Sequence, residues 1–454
     1  MLVPLCLFSS NVLADTPAGW YQQDADTTGP LYCVSAVDSE TIWAGGSDPS
    51  SGALALRSVD GGSTWTQSLV PAPSPYVAYI VYGMSAVDAD KAWAGGWSYF
   101  DRLGGFISRT NDGGGVWNPQ FGGRWVPISC VSAVDETTAW AGTNYLGSEV
   151  NIIRTTDGST WSLVYGEIVG APAIYGISSV DANTVWGVGG QGMILKTTDV
   201  TNWVHQDFLT TSTLRSVSAV DPSTAWAVGD GGLIIHTTNG TNWSAQSSGV
   251  TTDLTGIAAV STSIAWAVGK GGVILKTNDG GATWTTQNSG VTTNLNGVSA
   301  VDSNTAWAVG DGGVVLHTTT GGVVPPLGVT SITPNFGVEN TIVNVTNLAG
   351  TGFRAGLTVS IEKPGTTVIA TDVNVVSSTK ITCKLNLSGA PLGKYDVVVG
   401  NPGAPLVKLT KGFSVTNICG GGAAISLFVF GLMMGLMSLA GSAGLRRRFS
   451  RKKK

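Results

Sequence analysis

The sequence predicts an all-β protein: a seven-bladed β-propeller, then a small β-sandwich, then one C-terminal transmembrane helix. Three observations carry this. A unit of the form L-x-small-V-S-A-V-D-x-x-x-A-W-A-V-G recurs seven times, with its Trp at Trp43, Trp93, Trp140, Trp186, Trp226, Trp266 and Trp307. The repeat stops at "TTTGGVVPP", and a different alternating pattern follows. Ala423 to Leu445 is a run of 23 residues without a charge.

The propeller comes first in the chain. Its units are spaced 50, 47, 46, 40, 40 and 41 residues apart. Each holds short alternating runs such as "VSAV", "AWAV" and "VILKT", broken by Gly, Asp and Asn, the pattern of four antiparallel strands. Four strands per unit at this period are propeller blades. A second Trp ends six units, at Trp65, Trp117, Trp161, Trp203, Trp243 and Trp284, but the seventh has none. Trp20 lies 23 residues before Trp43, the same step as from Trp117 to Trp140. The N-terminal strand is therefore expected to complete the last blade, leaving no open sheet edge.

The two ends give an address. "MLVPLCLFSSNVLA", residues 1–14, reads as the remnant of a secretory signal peptide. At about 1.5 Å per residue, 423–445 is long enough to cross a hydrocarbon core of roughly 30 Å. The tail "RRRFSRKKK" holds seven of the 24 basic residues, so it is expected to stay in the cytoplasm with the ectodomain outside, in a bacterial cell envelope. Without the tail the chain has 17 basic and 29 acidic residues, a net charge of −12, which argues against a nucleic-acid partner. The segments so read are 1–14 signal remnant, 15–322 propeller, 323–328 linker, 329–416 sandwich, 417–422 Cys-Gly-rich motif, 423–445 helix and 446–454 basic tail.

Of the five cysteines, Cys6 lies in the signal segment and Cys419 at the anchor. Cys33 and Cys130 share a repeat slot where other copies have Gly or Ser. Both read as free, small core residues, with no disulfide.

The turns "SVDGGSTW" (58–65) and "TNDGGATW" (277–284) resemble the Asp-box of BNR and sialidase-type propellers, and degraded copies stand in four other units. The whole unit is similar to the propeller family of photosystem II assembly and stability factors, over about residues 16–322. That resemblance implies a non-catalytic assembly factor at a membrane, with Asp60, Asp112, Asp157, Asp199 and Asp279 as turn-forming Asp-box residues. The additional domain and anchor depart from the family, so a photosynthetic client is not implied. "VTSITPNFGVENTIVNVTNLAGTGF" and "LSGAPLGKYDVVVGNPG" resemble the IPT/TIG group of immunoglobulin-like domains, which implies a spacer. "CGGG" with the apolar run and basic end resembles bacterial C-terminal sorting signals, which makes Cys419, Gly420 and Gly421 a candidate processing or anchor site.

For function, two readings stand: a surface-anchored binding or scaffolding propeller whose partner is a protein or glycan, and a polysaccharide hydrolase of the Asp-box type. A glycosidase needs two carboxylates across a cleft. The acids Asp38, Asp88, Asp135, Asp181, Asp221 and Asp302 recur in one repeat slot, as turn residues do. A hydrolase would have to use Asp101, Glu149, Glu167 or Asp207. Arg57, Arg109, Arg154, Lys196, His236, Lys276 and His317 also share one slot. They read either as a polyanion ring or, the favoured reading, as partners of acids or carbonyls through ion pairs within each blade. No cofactor and no metal site are expected.

In a four-strand meander, the second-to-third-strand turn and the blade-to-blade connection lie at the same end. Blades 1–3 are lengthened at these places, with aromatics including Tyr76 and Tyr165. The candidate binding face therefore centres on Trp97, Tyr99, Phe100 and Trp125, with Tyr145 beside them and Arg102 and Arg124 as polar handles.

Overall fold

The computed structural model describes residues 19–50, 52–71, 79–98, 104–123, 127–143, 150–167, 172–206, 208, 210–323, 326–354, 356–377, 379–402 and 405–417. The signal segment, Cys419 to Gly421, the 423–445 run and the tail lie outside these. Among the described residues no helix is long and apolar enough to cross a membrane. The chain divides into two compact units between Pro326 and Leu327.

Among its described residues the first unit contains seven four-stranded sheets. Blade 1 sets the pattern: β2 (Leu31–Ala36) is innermost, followed outward by β3 (Ile42–Asp48), β4 (Gly52–Ser58) and β5 (Thr66–Leu69). The seven inner strands each touch the next, and the last touches the first. The second strand of a blade is buried at every position of its "AWAVG" core, as at Ala225–Gly229, because other sheets cover both its faces. Alternation then assigns one parity to each neighbour. Trp43 packs into blade 2 against Ala92 and Ala94. Ile42 and Ala44, of opposite parity, pack with Trp307 of blade 7. A large indole thus meets two alanine methyl groups at five blade boundaries, with Ile42 and Ala44 in that place in blade 1 and Val185 and Gly187 in blade 4, which lets flat sheets pack densely.

The closing Trp of each unit seals the same boundary. Trp117 meets Trp43 edge-on at 5.9 Å, Trp161 meets Trp93 at 5.6 Å and Trp243 meets Trp186 at 5.5 Å. In blade 7 this role falls to Trp20, edge-on to Trp266 at 5.5 Å. Behind it β1 (Tyr21–Gln23) pairs antiparallel with the strand Val315–Thr318, Tyr21 opposite His317. The ring therefore closes first-to-last, as the Trp spacing requires.

The turn acids behave as the repeat suggests. Asp38 accepts the amides of Glu40 and Thr41, and Asp88, Asp135, Asp181, Asp221 and Asp302 accept the same pair in their blades. Asp-box residues fold the next turn: Asp60 accepts from Thr64 N, Asp112 from Val116 N, Asp157 from Ser159 N and Thr160 N, Asp199 from Thr201 N and Asn202 N, and Asp279 from Thr283 N. The side chains of Thr64, Asn202 and Thr283, which also donate to Asp60, Asp199 and Asp279, together with these amides hold all five carboxyls below the ordinary carboxylate range. In the "VGDGG" turn of blade 5, Gly232 has φ +76, and a Cβ there would sit 2.1 Å from the Val250 carbonyl, so only glycine fits.

The sevenfold cation slot differs from the expected intra-blade ion pair. Each side chain lies over the inner Trp of its own blade: Arg57 on Trp43 at 5.6 Å, Arg154 on Trp140 at 4.8 Å, Lys276 on Trp266 at 4.4 Å, and His236 and His317 stacked at 4.1 and 4.3 Å on Trp226 and Trp307. The charged ones then cross to the next blade and donate to its carbonyls, Arg57 to Ala89 O at 2.6 Å, Arg154 to Ala182 O at 2.9 Å and Lys276 to Ser303 O at 2.5 Å. The physical reason is burial: a desolvated cation is satisfied by an indole face and a carbonyl without a second buried charge. His317 instead serves the seam, where the Tyr21 hydroxyl (2.5 Å) and the Gln23 amide nitrogen (3.3 Å) meet its Nδ1.

The second unit has a four-stranded and a five-stranded sheet around one core that includes Leu348, Ile361, Ile381, Leu385, Tyr395, Val397 and Phe413. Alternation is plain in Lys380–Asn386, where Ile381, Cys383 and Leu385 are buried. Cys383 is a free thiol that burial pushes up to about 11. The repeat gave no reason to place it, since it lies beyond the last blade.

Two outcomes follow for the seam. Deleting residues 15–28 removes Trp20 and β1 and should lower the propeller's unfolding midpoint far more than trimming a terminus does, since loss of one buried Trp alone costs about 3–5 kcal/mol. An unchanged denaturant melt would contradict closure by β1. Burial holds the His317 imidazole down at about 4 from 6.5. The unfolded chain therefore takes up a proton that the native chain refuses, and stability that is complete above pH 6.5 is lost as pH falls towards about 4, by at most about 3 kcal/mol. His317→Asn should flatten urea-melt stability across that window, and an undiminished slope would assign the loss to other groups.

Candidate functional site

In every inner strand the pairing slips by one residue near its start: between Leu31 and Cys33, Val81 and Gly83, Ile128 and Cys130, Ile174 and Gly176, Leu214 and Ser216, Leu254 and Gly256, and Leu295 and Gly297. A bulge leaves its extra residue out of the ladder and re-aims the side chain. The bulge residues are Tyr32, Tyr82, Ser129, Tyr175, Arg215, Thr255 and Asn296, and with their successors they line a central channel of about 220 Å³. Inner strands begin where the blade-to-blade connections arrive, so these residues form the channel mouth on the face expected to bind.

Three of the seven tie blades together. Ser129 Oγ donates to Ile174 O, Thr255 Oγ1 to Leu295 O at 2.6 Å, and Asn296 Nδ2 to Leu31 O at 2.9 Å. On blades 1 and 2 the bulge residues build an aromatic arc instead. The Tyr32 and Tyr82 rings lie 4.9 Å apart, and Trp97 stacks on Tyr82 at 6.0 Å with planes 25° apart.

Blades 5–7 carry a polar arc. Arg215 Nε binds Asp230 at 2.5 Å, its Nη2 lies 3.9 Å from Asp253, and Lys270 Nζ binds Asp253 at 2.6 Å. The Lys270 contact, with the Gly231 amide and the Arg215 charge, holds Asp253 below the ordinary range. Asp311 has different company: Asn294 Nδ2 donates to its Oδ2 and Asn296 Nδ2 to its Oδ1, both at 2.9 Å. Burial, and then the Asp311 charge, raises the Tyr32 phenol.

Of the residues predicted to form the binding face, Trp97 stacks on Tyr82, one of the channel-lining residues. Tyr99, Phe100, Arg102, Arg124, Trp125 and Tyr145 lie outside the described residues, as does Tyr76. Tyr165 belongs elsewhere: it packs on Trp203 at 5.4 Å, and its hydroxyl meets His205 Nε2 at 2.7 Å, so it seals a blade boundary. Cys33 and Cys130 are free thiols packed against the hydrophobic clusters of Trp43 and Trp140, as expected of small core residues, and they also line the channel; burial raises both thiols, Cys130 to about 12. Asp101, Glu149 and Asp207, and the Glu167 side chain, also lie outside the described residues. Among the described residues no three His, Cys, Asp or Glu side chains cluster as a metal site would. The missed residues had a signal in the sequence, because the bulge position is the "x" of L-x-small-V, the slot that varies while its surroundings repeat.

A family model described as photosynthesis system II assembly factor YCF48 matches residues 235–324, the last part of the propeller. The fold is similar to the solved structure "YCF48 bound to D1 peptide", with TM-score 0.53 and 19% identity over 67% of this chain and 99% of that one. It is likewise similar to YCF48 from Cyanidioschyzon merolae, with TM-score 0.51 and 20% identity over 66% and 98%. The WD40 β-propeller domain of Doa1 matches with TM-score 0.51 and 12% identity over 67% and 96%. At these identities the structural likenesses bear on the fold. No curated protein matches the chain. The comparisons thus support a YCF48-like BNR-repeat propeller and give no support to a hydrolase.

Proposed function

We propose that this protein is a non-catalytic, assembly-factor-like propeller that grips a segment of a partner protein at its channel mouth. The observation that carries this reading is the division of labour among the bulge residues: Ser129, Thr255 and Asn296 bridge blades, whereas Tyr32, Tyr82 and Trp97 form an aromatic arc at a funnel. Aromatic clusters at a concave centre are what peptide recognition uses. A YCF48 propeller of similar fold is bound to a D1 peptide, which supports a protein segment over a glycan as the ligand class. Tyr99, Phe100, Arg102, Arg124, Trp125 and Tyr145 are proposed to extend the same face. No photosynthetic client is assigned.

The rest of the chain is read as a display device. Residues 329–416 are proposed to be an IPT/TIG-type immunoglobulin-like spacer, and 423–445 a membrane span that leaves "RRRFSRKKK" inside and the propeller outside. Cys419, Gly420 and Gly421 are a proposed processing or anchoring point.

Random-peptide display against the immobilised full-length protein should enrich extended sequences that lose at least tenfold in affinity when Tyr82 and Trp97 are both replaced by Ser, with the melt unchanged. Equal affinity for the variant would move the site, and enrichment on a glycan array without any peptide would overturn the protein-ligand reading. Protease added to intact cells should remove the propeller and spare the basic tail. A propeller protected in intact cells but cut after lysis would refute the proposed topology.

A further inference from the structure

The polar arc is internally neutralised except at one place. Asp230 and Asp253 share Arg215 and Lys270. Asp311 is held by two amides, one on each oxygen, and among the described residues no cation lies within ion-pair distance of it. A carboxylate offers about four acceptor positions, so two amide donors fix its orientation and leave the others open. The same Asn296 amide nitrogen that binds Asp311 also donates to Leu31 O, which places this carboxylate beside the backbone that carries Tyr32. Tyr32 in turn lies against Tyr82. A fixed, uncompensated carboxylate beside the strand of Tyr32, whose ring packs on Tyr82, has the chemistry of a cation receptor: the acid supplies charge-assisted hydrogen bonds and the rings supply their negative faces.

We propose that Asp311, Tyr32 and Tyr82 form a receptor for one basic side chain, Lys or Arg, carried by the protein segment that enters the channel mouth. This rests on the peptide-binding reading above and narrows it to a segment with a basic anchor. The chain uses the same chemistry internally, where Lys276 lies over Trp266 at 4.4 Å and donates to a carbonyl. An acidic anchor on the partner would instead face Asp311 at low dielectric, which is repulsive.

The test uses the tightest display-selected peptide with the full-length protein, changing each of its basic residues in turn to Gln and measuring fluorescence anisotropy. One position should lose at least tenfold in affinity on the wild type, and the loss should shrink to under twofold on Asp311→Asn. Tyr32→Leu, which leaves the Asn294 and Asn296 contacts of Asp311 in place, should also reduce it, and serves if Asp311→Asn unfolds. Selected peptides without a basic residue, or a Gln penalty that persists undiminished in both variants, would overturn the receptor while leaving peptide binding intact. Failure to select any peptide would overturn the peptide-binding reading itself, and the receptor with it.

Discussion

Everything in the propeller depends on the fit of one indole against two methyl groups. Trp43 against Ala92 and Ala94 is repeated with small changes at every blade boundary, and it fixes more than packing density. Because successive residues of a strand face opposite sides, the Trp and the Ala pair must stand in adjacent register within "AWAV", so each blade presents a large face to one neighbour and a small face to the other. That makes the blade interface directional. A ring of such units closes only when the last large face finds a small one, and the Trp307 cluster with Ala44 of blade 1 is that closure.

The cation over each indole follows from the same constraint. Once a Trp is buried between sheets, its outer edge needs a cover that brings no further desolvated acid. A long basic side chain covers the ring with its stem and ends on a carbonyl of the next blade, so one residue seals the face and links two blades. Arg57 also reaches Asp90 at 3.1 Å, but Asp90 is largely exposed and adds little. At blades 5 and 7 the same slot holds His, whose imidazole stacks on the indole without crossing the boundary, and at blade 7 it meets Tyr21 and Gln23 of β1 instead.

How much of this was legible in the sequence depended on whether a residue repeats. The Trp steps read out the blades and placed Trp20 in the seventh, because burial of a Trp leaves a period that no other residue can imitate. The turn acids and the Asp-box were legible for the same reason, since their amide partners are local in the chain. The cation slot was visible as a ring and carbonyl partners were expected for it, but they were placed within the blade, because the carbonyls of Ala89 and Ser303 belong to the next blade and a carbonyl has no sequence signature. Cys33 and Cys130 were legible as small residues against the core, but not as channel lining, because small side chains suit both places. The mouth was the hardest to read: a bulge is a property of pairing, and only a register compared across two strands shows that Tyr32, Tyr82 and Arg215 have left the ladder.

That bulge explains how a repeat protein can hold a site without losing its repeat. A residue within the ladder of an inner strand must fit both the pleat and the next blade, so its identity is dictated seven times over. A bulged residue escapes both demands and points to the channel, so each blade carries one position free to vary at little cost to packing. The seven positions have diverged accordingly. Where the repeat is most regular, in blades 5–7, Thr255 and Asn296 are used for blade-to-blade bonds and Arg215 for a charge ladder. In blades 1 and 2, where chain has been inserted into the turns and connections, the freed positions carry Tyr32 and Tyr82, and Trp97 at the end of a lengthened strand joins them. The regular half thus fixes the geometry of Asp311 through Asn294 and Asn296, and the irregular half carries the aromatic cluster of Tyr32, Tyr82 and Trp97.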